Sequence, residues 1–122
     1  MAATSNRSGV ANLTIEARRV ESACVVEVAG ELDLSSAPAL CARLEQELAT
    51  GVVVDLSGLE FCDSTGLRAL AGAAEEARIR LARLVFVAPS QPGAARAFET
   101  AGASEFLPLV DDLPAGLGLV TS

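Results

Sequence analysis

The sequence predicts an α/β domain that mixes antiparallel and parallel strand pairing, on three observations. Two short β-branched stretches near the N-terminus, residues 13–15 and 24–29, are close enough along the chain to pair as an antiparallel hairpin. The apolar run Val52, Val53, Val54 suits a strand buried on both faces, and past a polar junction Leu67, Leu70, Ala71, Ala74 and Leu81 recur at helical spacing. A second buried run, Leu84 to Ala88, follows that helix, and strand, helix, strand in this order implies a parallel pair with a right-handed crossover.

Residues 1–12 are small, polar and aperiodic, so a disordered tail is expected there and a single folded domain over 13–122. After the hairpin, Gly30-Glu31-Leu32-Asp33-Leu34 leaves the second strand. Ser35-Ser36-Ala37-Pro38 then supplies capping hydroxyls and a proline for the first turn of a helix. That helix should run to about Ala49, with Leu40, Cys41, Leu44 and Leu48 facing inward and Gly51 as a left-handed stop. Strand 52–56, a Ser57-Gly58 turn and a helix over 65–80 come next, the helix carrying Glu76 and Arg80 at ion-pair spacing. Pro89-Ser90-Gln91-Pro92 opens a third helix that Gly102 ends, and a strand over 106–110 precedes a last short helix from Leu113. Gly116 and Gly118 weaken that final helix by about 1 kcal/mol each, so its end is expected to fray.

Composition excludes more than it suggests. A net charge of −7 argues against a nucleic-acid groove or an anionic membrane surface, both of which need clustered cations, and points to a protein partner. All nine basic residues are arginine and there is no histidine. Ser-His and Cys-His pairs, His-containing metal sites, Schiff-base lysines and the phosphate-loop lysine are therefore unavailable, and no cofactor or metal is expected. Cys24, Cys41 and Cys62 are odd in number and lack ligand spacing. With no leader-like N-terminus and no apolar run of roughly 18 to 20 residues, a cytoplasmic protein with reduced thiols is expected.

The junction Cys62-Asp63-Ser64-Thr65-Gly66 is the place to look for function. Unpaired backbone N–H groups and the positive end of a helix dipole favour a hydroxyl cap, a carboxylate or a phosphate there. As a serine before a helix, Ser64 reads as an N-cap. Asp33 reads as a turn aspartate and Phe61 as a core residue under the loop, while Asp55, ending a buried strand, is either a structural or a functional carboxylate.

Three segments together resemble a known family. They are Gly-Glu-Leu-Asp after a strand, Val-Val-Val-Asp-Leu-Ser-Gly-Leu-Glu-Phe-Cys-Asp-Ser-Thr-Gly-Leu, and Val-Ala-Pro-Ser before an alanine-rich helix closed by Ala-Gly-Ala. In this order they are similar to STAS domains of the anti-sigma-factor antagonist type, over nearly everything from Leu13 to about Leu119. The resemblance implies a single STAS domain: a small mixed β-sheet with helices packed mainly on one side. It also implies a phosphorylation switch. Unphosphorylated, such a protein captures an anti-sigma factor that is a serine/threonine kinase, and so frees a sigma factor. Phosphate on the residue at the Ser64 position releases the partner, and a separate serine phosphatase resets the switch.

On this reading the chain is a substrate and not an enzyme. Asp33 lies near Ser64 and, with Ser35, Asp63 and Thr65, belongs to the partner surface, which Gly66 and Arg68 complete. Thr65 is an alternative acceptor. Cys62 stands where relatives usually have an aliphatic residue, and Arg68 where many have a small one. Two other readings stay open: a non-switching STAS adaptor or scaffold, such as a subunit of a lipid-transport complex, and a cysteine-dependent phosphatase using Cys62 and Arg68, which have the spacing of its phosphate loop. Asp63 inside that loop, which would repel a phosphate dianion, opposes the phosphatase.

Overall fold

The computed structural model describes residues 6–10 and 12–121. Six strands lie side by side in chain order: β1 (Asn6–Val10), β2 (Leu13–Val20), β3 (Ala23–Leu32), β4 (Gly51–Cys62), β5 (Leu84–Val87) and β6 (Leu109–Val110). The first three pair antiparallel and β3 to β6 pair parallel, so the sheet is mixed. The helices α1 (Ala37–Glu47), α2 (Ser64–Ile79) and α3 (Pro92–Ala101) make the parallel crossovers, and α4 (Leu113–Val120) follows β6.

Strand alternation divides the apolar residues between two faces. Ile15, Val26, Val28, Val52, Val54 and Phe86 form the larger core with Leu40 and Leu44 of α1, Leu67 and Leu70 of α2, and Phe98 of α3. Val25, Val53, Val85 and Val87 form the smaller one with Val120 of α4. Helices thus pack mainly on one side, three against one. Gly102 ends α3 in the left-handed conformation, and the Glu76–Arg80 pair forms at 2.6 Å, both as expected.

Several local expectations are corrected. Residues 6–10 of the expected tail form an edge strand, paired antiparallel with β2 from Asn6↔Ala17 to Val10↔Leu13; residues 1–5 and 11 lie outside those described. Hairpin strands expected to be short run to Val20 and Leu32, because ladder bonds to a neighbour extend a strand past its own apolar pattern. Gly51 does not stop α1 in a left-handed conformation: it opens β4, where an added Cβ would sit 2.4 Å from the Val120 carbonyl oxygen. The last helix runs to Val120, with Gly116 buried against Val53. The strand expected over 106–110 is only Leu109–Val110, after a 3-10 turn at Ala103–Glu105.

Ser57-Gly58 is not a turn. Asp55 pairs with Glu27 and Gly58 with Ala29, then Leu59 with Gly30 and Phe61 with Glu31, so β4 carries an extra residue at two places and continues as a bulged strand to Cys62.

Helix α2 ends in a Schellman arrangement. The Ala82 N–H reaches back to the Ala77 carbonyl at 2.8 Å and the Leu81 N–H to that of Arg78 at 3.1 Å. The left-handed position usually given to glycine is held by Leu81, at φ 58° and 92% exposed. Leu81→Gly is therefore expected to stabilise the fold by about 1 kcal/mol, since it relieves left-handed strain and exposes no core. A rise in the urea midpoint at unchanged slope checks this.

Candidate functional site

The parallel register sets Leu32 at the end of β3 beside Cys62 at the end of β4, and the Asp63 N–H donates to the Leu32 carbonyl at 3.3 Å. Asp33 and Asp63 therefore leave the sheet at neighbouring strand ends, on the carboxyl side where open α/β sheets present their sites. Residues separated by thirty positions meet here because both bulges are accommodated upstream of this pair.

Asp33 organises the turn into α1. One carboxylate oxygen accepts from the Ser35 hydroxyl at 2.8 Å, the Ser35 N–H at 3.0 Å and the Ser36 N–H at 3.3 Å. These bonds, the Ser35 hydroxyl first, hold the Asp33 carboxyl below the usual carboxylate range. Ser36 is fully buried; its hydroxyl donates to the Glu31 carbonyl and accepts from the Asp33 N–H, each at 3.0 Å, instead of capping α1. The turn is tied from inside, and it holds Leu34 in water at 74% exposure with Ser35 exposed beside it.

The cap of α2 is Asp63, not Ser64. Asp63 has extended backbone and its carboxylate accepts from the Gly66 N–H at 2.8 Å. Ser64 is the first helical residue; it is exposed, and its hydroxyl has no hydrogen-bond partner within the described chain. Thr65 is half-buried. Gly66 is buried where α2 crosses the end of β3, and a Cβ there would lie 2.7 Å from the Leu32 carbonyl oxygen and 2.8 Å from Cys62 Sγ. Arg68 is exposed one turn after Ser64.

Phe61 is not a core residue. Leu59 and Cys62 are buried while Glu60 and Phe61 between them are both exposed, Phe61 at 46%. The second bulge is the cause, since one extra residue turns two consecutive side chains outward. Sequence reasoning missed Phe61 and Leu34 as surface residues of this site. The available signal for Leu34 was an isolated apolar residue, outside any periodic stripe, in a turn of Asp and Ser. Asp55 sits within β4 away from this end, and its carboxylate accepts locally from the Ser57 N–H at 3.0 Å.

The site does not have the geometry of a cysteine phosphatase. Cys62 ends a strand instead of opening a loop, and it is buried; burial first, and then the neighbouring Asp63 carboxylate, push its thiol up to about 12. A thiol at that value is protonated at neutral pH and is not a nucleophile. Burial also raises Cys24, with Glu47 adding to it, to about 11, and raises Cys41, which is only half-buried. In the native protein a disulfide dye at neutral pH is expected to modify Cys41 first and Cys24 and Cys62 slowly, with all three reacting in denaturant. Rapid native labelling of all three would contradict the assigned faces. Among the described residues no group of His, Cys, Asp or Glu is arranged to hold a metal ion, and no helix is long and apolar enough to cross a membrane.

Comparison with known proteins identifies the family of this fold. The family described as "Mlab, STAS domain" matches residues 15–111. A crystal structure of an anti-sigma factor antagonist from Mycobacterium paratuberculosis is 30% identical, with a TM-score of 0.76 over 88% of this chain and 93% of that one. The anti-sigma factor antagonist SpoIIAA in its unphosphorylated form is 18% identical, with a TM-score of 0.62 over 94% of this chain and 95% of that one. The Bacillus cell fate determinant SpoIIAA in its phosphorylated form is 19% identical, with a TM-score of 0.55 over 92% and 96%. At these identities the two SpoIIAA structures show the shared fold alone. No curated protein matches the chain. From the family match and the Mycobacterium relative, the chain belongs to the STAS domain family, in its anti-sigma factor antagonist group.

Proposed function

We propose that this chain binds an anti-sigma factor with serine/threonine kinase activity, that binding frees a sigma factor, and that phosphorylation of Ser64 ends it. The observation that carries the reading is Ser64 itself, an exposed hydroxyl on the first turn of α2 with no hydrogen-bond partner, because Asp63 has taken the capping bond. Such a hydroxyl is free to enter another protein's active site without loosening its own helix. Thr65, half-buried, is less accessible as an acceptor.

Ser64 has no histidine or lysine to activate it, so the partner provides the base and the metal-bound ATP. Ser64 Oγ forms a bond to the γ-phosphorus as the bond from that phosphorus to the β,γ-bridging oxygen breaks. ADP leaves, and the hydroxyl proton passes to the kinase's base. The product gains about −1.5 to −2 charges beside Asp63. Leu34 and Phe61 provide exposed apolar contact area around this point, where Asp33, Glu60 and Asp63 are already acidic. A partner surface fitted to a neutral hydroxyl among those groups is lost by repulsion and desolvation once the phosphate is on. A separate serine phosphatase restores binding, and the cycle runs in the cytoplasm. The chain performs no chemistry of its own.

A second reading uses the same exposed apolar residues, Leu34 and Phe61, as a permanent contact: a STAS subunit that docks constitutively on a larger complex with no phosphate cycle. Affinity capture with the tagged chain, followed by ATP and magnesium, separates the two. The switch predicts a captured kinase-type anti-sigma factor, its release by ATP, and one phosphate on Ser64. A partner retained through ATP treatment with Ser64 unmodified would establish the adaptor and reject the switch.

A further inference from the structure

We propose that Arg68 is the intramolecular receptor for a phosphate on Ser64, so that phosphorylation both adds a dianion to the partner surface and withdraws its nearby cation. The inference rests on the phosphoacceptor reading of Ser64 and deepens it by naming the residue that responds.

Three observations carry it. Arg78, within α2, and Arg80, at its C-cap, are each held by a carboxylate, Glu75 and Glu76, whereas Arg68 has no ion-pair partner among the described residues. The reason is in the sequence. Helical neighbours lie three and four residues away, and for Arg68 these are Thr65, Ser64, Ala71 and Gly72, two hydroxyls and no acid. Side chains on a helix also lean toward its N-terminus, so the surface that Arg68 covers is the preceding turn, where Ser64 is exposed. On the C-terminal side of Arg68 the groove beside Ala69, Gly72 and Ala73 is lined by Glu45 of α1 and by Glu76, but Glu76 is held by Arg80 and neither carboxylate pairs with Arg68.

With Ser64 unmodified, the guanidinium is free for a carboxylate of the partner. A phosphate on Ser64 brings oxygens within one helical turn, and a guanidinium fork takes phosphate by paired charge-assisted hydrogen bonds. The order is the favourable one, anion N-terminal to cation at a spacing of four. Acidic groups dominate this end of the sheet: Asp63 in the same turn, Asp33 at the neighbouring strand end, and Glu31 and Glu60 on the strands, with Glu45 of α1 along the groove beside Ala69 and Gly72 and the exposed Arg96 one turn into α3, whose first turn packs on Glu60. The carboxylates raise the second ionisation of a phosphate, and Arg68 opposes them.

The test needs no partner protein. Phosphoserine is installed at position 64 by nonsense suppression in otherwise wild-type chain and in Arg68→Gln and Arg68→Lys, and its second pKa is read by phosphorus NMR. Arg68→Gln is expected to raise that pKa by roughly 0.5 unit at low salt, with Arg68→Lys in between, and the difference should collapse at about 1 M salt. Equal values for wild type and Arg68→Gln would overturn the proposal, as would a difference that survives high salt, which would be conformational. A kinase that never modifies Ser64 would sink the switch and leave this measurement intact, so the two failures are distinguishable.

Discussion

Ser64→Asp is expected to weaken the complex with the captured anti-sigma kinase by about 5- to 150-fold, a coupling of about 1 to 3 kcal/mol, while Ser64→Ala binds like wild type. The structure sharpens the alanine half of this contrast. Had Ser64 capped α2, its removal would cost about 1 kcal/mol of stability and confuse the comparison. Asp63 makes the capping bond to the Gly66 N–H, so Ser64→Ala should stay within about 0.5 kcal/mol of wild-type stability. Aspartate at position 64 places a second carboxylate next to Asp63, which the helix N-terminus tolerates within the fold and a partner built around a hydroxyl does not. It falls short of phosphate because it has less charge and fewer acceptor oxygens. Calorimetric titration of both variants, with circular dichroism as a fold control, measures the effect. Equal affinities would remove Ser64 from the switch.

Among the glycines whose surroundings are described, Gly30→Ala is expected to be the most destabilising, by about 3 to 5 kcal/mol, which is a large share of the stability of a domain this size. Two terms add. Gly30 has φ +105°, where side chains other than hydrogen are strained, and a Cβ built there would sit 2.0 Å from the Asn12 carbonyl oxygen. That oxygen cannot simply retreat, because it accepts the Glu31 N–H at 3.0 Å and so ties the start of β2 to the part of β3 that faces the second bulge of β4. The same bulge sets the register that carries Leu32, and therefore Asp33, to the end of the sheet. Equilibrium unfolding in urea gives the number, and a loss below about 1 kcal/mol would mean that the hairpin rearranges around the added methyl.

How legible was this protein in its sequence? The strand-helix-strand core could be read directly, since Val52 to Val54, the Leu67 and Leu70 stripe and Leu84 to Val87 are set by local period, and period depends only on which faces must be buried. The special status of the Asp63-Ser64-Thr65-Gly66 junction was legible for the same reason, because a change of period marks a helix start wherever the rest of the chain goes.

What local pattern left open, pairing decided. Residues 6–10, Asn-Arg-Ser-Gly-Val, have no alternating apolar pattern of their own, yet hydrogen bonding along β2 makes them a strand. The Ser57-Gly58 segment has turn composition, but the ladder with β3 absorbs it as a bulge, and the second bulge puts Phe61 in water while Cys62 stays in the core. Because β4 then stays extended up to Cys62, Asp63 inherits an extended backbone and becomes the cap, which releases the Ser64 hydroxyl. Sequence alone thus determined that a hydroxyl stands at a helix start. Only the tertiary structure decided that this hydroxyl is unbonded and exposed, because the cap is assigned by where the long-range strand ladder ends.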